Sequence, residues 1–198
     1  MNVYTVKYRR KRDGRTNYLK RLKLLESGKK RLVSRRSQKY LVSQIIEYHP
    51  DGDKIIAHAH SKELEKFGWR YSKKNIPAAY LTGMLIGMRA KEKGVTDAVF
   101  DIGLHSCVHG GRIFAILKGA VDAGLDVSYS QEAFPKDERI KGVHIANYKN
   151  PGKNQFTKYR KEGLETTTIV SAFEDAKEKI LGMVKNGKEK ETRREKRS

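Results

Sequence analysis

One cysteine, Cys107, is the only thiol in the 198-residue chain, which excludes an internal disulfide and fits a reducing compartment. No apolar run approaches the roughly 18 residues that a membrane-spanning helix needs. The first residues also lack the apolar stretch of a signal peptide, so the cytoplasm is the expected location. Acidic residues are scarce: 23 Asp and Glu stand against 43 Lys and Arg, for a formal net charge of +20. Hydrophobic residues make up 37% of the chain, polar for a compact protein but enough for one domain with a core and extensions.

The positive excess is not spread evenly. Residues 1–40 hold 15 bases and 2 acids, residues 185–198 hold 7 and 3, and the stretch between is close to neutral. A near-neutral body with a basic arm points to a polyanionic partner. The arm lacks the apolar face of a membrane-surface helix, which favours nucleic acid over lipid. Within YTVKYRRKRDGRTNYLKRLK (residues 4–23) the bases alternate with tyrosines and hydrogen-bonding side chains. Tyr8, Arg9, Arg10, Arg12, Arg15, Thr16, Asn17, Tyr18 and Arg21 can together neutralise phosphates and stack on bases. Residues 18–25 predict a short helix with Leu19, Leu22 and Leu25 on one face, and the arm is expected to order on binding.

The most patterned stretch spans residues 95–130. Residues 97–102 read as a strand, 103–110 as a tight loop with glycines at both ends, 112–123 as a helix, and 125–129 as a second strand. That order predicts a parallel crossover unit. Gly110, Gly111 and Arg112 at the helix start form a candidate anion contact. Upstream, residues 31–36, 40–48 and 54–61 predict an antiparallel meander whose first turn, Ser37-Gln38-Lys39, is basic. Arg35, Arg36 and Lys39 make this hairpin a second candidate RNA contact. Lys73-Lys74-Asn75 leads into a helix over residues 76–93, with Asn75 as its cap and Pro77 in its first turn. Ala79, Gly83 and Gly87 form a small-residue stripe on it, read as close contact with the sheet. A short helix near residues 138–148 and a longer one over 168–184 follow.

The expected architecture is thus α/β: a mixed sheet, antiparallel meander plus parallel crossover strands, packed with helices. It carries a basic N-terminal arm (1–27), a core (28–130), a helical extension (131–184) and a charged disordered tail (185–198). Chemistry is harder to find. His58 and His60 share a strand face, and His105, Cys107 and His109 alternate in the glycine loop, but neither group completes a zinc set at usual spacings. A nucleophilic Cys–His pair there is outweighed by a loop adjoining phosphate. No cofactor, metal or catalytic residue is expected. The alternative is a metal-dependent nuclease with a ribonuclease H-like sheet, in which Asp53, Asp97 and Asp101 would hold Mg²⁺. Against it, an aspartate before a turn is usually a turn or cap residue.

Three motifs carry a resemblance: YRRKRDGRTNYLKRLKLL, KKNIPAAYLTG and FDIGLHSCVHGGRIFAILKGAVDAGL. They resemble the family of large-subunit ribosomal protein eighteen, in its longer archaeal and eukaryotic form, over residues 4–184. The resemblance implies a structural constituent that binds 5S ribosomal RNA and helps attach it to large-subunit RNA in the central protuberance, beside neighbouring ribosomal proteins. It also implies that residues 131–184 are an archaeal-type extension and that the chain is not an enzyme.

Overall fold

The computed structural model describes residues 5–148 and 155–195, with side chains to residue 183. The arm holds two short helices, α1 (Arg9–Arg12) and α2 (Tyr18–Leu25). They are separated where Asp13-Gly14 interrupts the helix, and Asn17 starts the second by accepting the Lys20 N–H at 3.1 Å. Of the three leucines expected on one face, Leu19 and Leu22 face solvent at 74% and 57% exposure. Leu24 and Leu25 are the half-buried leucines of α2.

The meander follows as β1 (Arg31–Arg36), β2 (Leu41–Glu47) and β3 (Lys54–His60). Ser37 closes the first turn: its hydroxyl donates to the Tyr40 carbonyl and accepts the Tyr40 N–H, both at 2.9 Å. After the 3-10 turn Ser61–Phe67 comes α3 (Ile76–Glu92), then β4 (Val99–Asp101), which pairs parallel with β1 to complete a mixed sheet of order β3-β2-β1-β4.

Residues 125–129 do not form the second crossover strand that their alternation predicts. Only a single parallel bridge, Asp97 to Asp126, joins them to the 97–99 segment. Past that bridge residues 127–129 make no backbone hydrogen bond among the described residues, and Leu125 and Val127 spend their apolar character in the core. The parallel pairing is real, but its partner is β1.

Alternation along the strands assigns two faces. Leu32, Leu41, Ile45, Ala57 and Ala59 enter the core with the helices. Arg31, Val33 and Ile46 are buried on the opposite face, where the arm lies. α3 is the central helix, with 13 of its 17 residues buried. It packs against the sheet, against α4 (Arg112–Asp122) and against α8 (Ile169–Glu195).

The small-residue stripe serves α4 rather than the sheet. A Cβ at Gly83 would lie 2.0 Å from the Ile116 carbonyl oxygen, and one at Gly119 would lie 2.1 Å from that of Tyr80. The two helices therefore touch backbone to backbone, which side chains beyond hydrogen forbid. Between α4 and α8 run α5 (Asp137–Lys141), α6 (Val143–Ala146) and α7 (Thr157–Lys161). The first two are the expected helix near 138–148, broken by Gly142 at φ 85°. In α8, Ile169, Phe173, Ala176 and Ile180 are buried as their spacing predicts. Val184 lies outside the described side chains. The α8 backbone continues to Glu195, into the segment read as a disordered tail, whose Lys, Glu and Arg are good helix formers.

Candidate nucleic-acid interface

The basic residues of the arm and hairpin divide into two groups by what they touch. One group is tied into the body. Arg31, 4% exposed, donates to Asp53 at 2.5 Å and to Asp101 at 3.1 Å. Asp53 also accepts Arg21 at 2.8 Å, and Asp101 accepts Arg35 at 3.3 Å. Arg35 donates further to the Asp101 carbonyl at 2.7 Å. Three guanidiniums and two carboxylates thus form one chain that pins α2 to the sheet. A buried arginine needs such partners, because an unpaired buried charge is costly. Its Nε is the one fully buried polar atom of this network left without a partner among the described residues.

This network gives the aspartates of the nuclease reading another role. Asp53 and Asp101 bracket a single guanidinium instead of a shared metal position, and the Gly103 N–H donates to Asp101 at 2.7 Å. Asp97 is engaged elsewhere, 3.2 Å from Lys29. No group of three or more His, Cys, Asp or Glu side chains suited to a metal occurs among the described residues.

The second group points outward. Arg9, Arg10, Arg12 and Arg15 are exposed, as are Arg36 and Lys39 at the hairpin tip. Arg9 has only a loose contact with Asp13 at 4.0 Å, while Arg10 bonds the Thr16 hydroxyl at 2.9 Å and so braces the arm's turn. Tyr8 is 73% exposed and tilts against Tyr18, ring centres 5.3 Å apart, leaving an open face for stacking. Lys20 and Lys23, exposed in the same basic run, belong with this group although nothing local sets them apart from their neighbours.

From the hairpin the basic surface continues to the α4 start. The His105 ring accepts the Arg36 N–H at 3.3 Å. Burial first, then the charges of Arg36 and Arg35, hold His105 below its ordinary value. Arg112 is half-buried, not fully exposed, and burial together with Arg36 lowers its pKa as well. Its guanidinium reaches the Lys74 carbonyl at 3.5 Å. Both lie in a cleft of about 830 Å³ with Asn75, Lys136, Arg139 and His144. The last three come from the extension, a convergence that separation in sequence conceals. Asn75 caps α3 by accepting the Ala78 N–H at 2.9 Å. Lys73 does not join the surface freely, because it is ion-paired with Glu65.

Gly110 and Gly111 form the α4 start in different ways. Gly110 takes φ 66°, whereas Gly111 has φ −80° but sits where a Cβ would be 2.7 Å from the Val108 carbonyl. Gly111→Val should therefore cost about 1–3 kcal/mol through that clash. Arg112→Ala should cost little stability and reduce RNA affinity. Thermal melts decide between them, and equal midpoints would contradict the assignment.

Asp53 yields a prediction whose sign is informative. Removing a negative charge from an RNA-binding face ordinarily strengthens binding. Asp53→Asn should instead weaken it, by about two- to tenfold, because α2 loses the anchor that pre-organises the arm. Filter-binding titrations of the two proteins measure this, and tighter binding by the variant would show the anchor to be irrelevant.

A family model described as "Ribosomal large subunit proteins 60S L5, and 50S L18" matches residues 2–98 and 89–130. The chain is 48% identical over 186 residues to the large ribosomal subunit protein uL18 of Korarchaeum cryptofilum (strain OPF8), across 91% of this chain and 95% of that relative.

Proposed function

The chain belongs to the family of ribosomal large subunit proteins that comprises 60S L5 and 50S L18, and from that premise we propose that its basic face binds 5S ribosomal RNA and helps attach it to large-subunit RNA in the central protuberance. Its role is structural: a constituent of the large ribosomal subunit, working in translation. The observation that carries the RNA reading is the division of bases just described. Arg21, Arg31 and Arg35 meet carboxylates inside the fold, whereas Arg12, Arg15, Lys20 and Lys23 have no ion-pair partner among the described residues. Such a surface suits a polyanion, with arginine forks and tyrosine rings for phosphates and unpaired bases.

The RNA-binding assignment rests on Tyr8, Arg9, Arg10, Arg12, Arg15, Thr16, Asn17, Tyr18, Arg36 and Lys39, with Lys74, Asn75 and Arg112 at the far end. Arg21 and Arg35 support it by holding the arm, and Lys73 is the weakest member. The extension, with α5 and α8 packed on α3, is suited to contacts with neighbouring ribosomal proteins. Gel-shift titrations against 5S ribosomal RNA and against transfer RNA test the reading. A preference of at least tenfold for 5S ribosomal RNA is expected, and equal affinity would reduce the protein to a general RNA binder.

A further inference from the structure

We propose that the cavity between the arm and the sheet receives one unstacked nucleotide of the bound RNA, base inward and phosphate at the rim. The inference rests on the RNA-binding reading above and makes it specific. The cavity measures about 490 Å³, within the roughly 300–1,000 Å³ typical of sites that enclose a small organic ligand.

Its two parts differ in chemistry. One part is apolar: Val33 and Ile46 from the sheet, Phe100 from β4 and Leu24 from α2, with Leu104 from the loop after β4 on its exposed side. Leu104 is 56% exposed, an apolar wall left open. The rim is cationic, with Arg10, Arg15 and Lys20 exposed around it. The two carboxylates in the lining, Asp53 and Asp101, are already held by guanidiniums, so they do not oppose an incoming anion. Asn17 spends its carbonyl oxygen on the Lys20 N–H, and its amide N–H groups keep no partner among the described residues. They are free to read an acceptor on a base edge.

A free phosphate would satisfy the rim and leave the apolar part empty. An aliphatic side chain would fill the apolar part and waste the rim. A nucleotide matches both, since every base has a flat face to stack and every nucleotide a phosphate to neutralise. Single-stranded bulges and loops supply such bases at little unstacking cost.

The test uses the full chain and 5S ribosomal RNA transcribed in vitro. Leu104→Trp fills the opening, whereas Leu104→Ala leaves it empty; the position is exposed enough for both to fold, which thermal melts verify. Filling should weaken binding about tenfold, the scale of one lost base stack, with an unchanged dependence on salt. Leu104→Ala should lose less than threefold, on the same scale. Dimethyl sulfate and carbodiimide, which together modify the pairing edges of all four bases, should show one unpaired base protected by the wild type and reactive with Leu104→Trp. Equal affinities for Leu104→Trp and wild type, equal losses in the two variants, or no base whose protection depends on the opening would overturn the proposal. Failure of the wild type to bind the RNA would instead overturn the RNA reading beneath it.

Discussion

Raising salt from 50 to 200 mM should weaken binding of 5S ribosomal RNA by roughly 10³–10⁵-fold, and deleting residues 1–23 should flatten that dependence. The magnitude follows from counterion release, with about 6–10 phosphates neutralised. The arm alone exposes Lys7, Arg9, Arg10, Lys11, Arg12, Arg15, Lys20 and Lys23. Arg21 is left out of this set because Asp53 holds it. Arg36 and Arg112 lie outside the deleted segment, so the truncated chain should keep a shallow slope. Anisotropy titrations at four salt concentrations measure both slopes. The same slope with and without the arm would remove the arm from the phosphate contacts.

The second large effect concerns stability. Gly83→Ala adds one methyl group, yet that carbon would lie 2.0 Å from the Ile116 carbonyl oxygen and 2.7 Å from its carbon. Both obstacles are backbone, so no side chain can swing away and α3 must part from α4. Parting them opens the core along the central helix. A cost of about 3 kcal/mol or more is expected, a large share of the roughly 5–15 kcal/mol that domains possess. The same substitution at Gly182 in α8 meets nothing within 4 Å. Gly182→Ala should be neutral or stabilising by up to about 1 kcal/mol, through helix propensity alone. Urea melts of the two variants compare like with like, and shifts of the same sign would remove the close contact as the explanation.

Gly83 also marks where reading the sequence stops. Its spacing from Ala79 and Gly87 shows that something approaches α3 closely, but spacing cannot name the neighbour. The periodicity of α3, α4 and α8, the meander and the Asn75 cap were all legible, because local patterning and capping chemistry determine them. The segment at 125–129 is the opposite case: its alternation suits a strand, but pairing depends on a partner that only the assembled sheet provides.

At the interface the exposed arm residues were legible as a class, while individual roles were not. Arg12 and Arg21 look alike in a basic run. Only the position of Asp53, far along the chain, makes one a free cation and the other an anchor. The cavity wall at Leu104 and the contributions of Lys136, Arg139 and His144 carry no local signal at all.

The parallel pairing of β1 with β4 has a consequence for how the chain acquires its fold. Arg31 pairs with Val99, so closing the sheet joins segments roughly 70 residues apart, and that loop must be ordered before the contact rewards it. The β1–β2 hairpin is local and can form first. Until β4 is synthesised and docks, the outer edge of β1 presents unpaired backbone groups, the kind of template on which nascent chains associate. A chain ending near residue 95 should therefore aggregate at concentrations where one reaching residue 130, with β4 and α4 in place, stays dispersed.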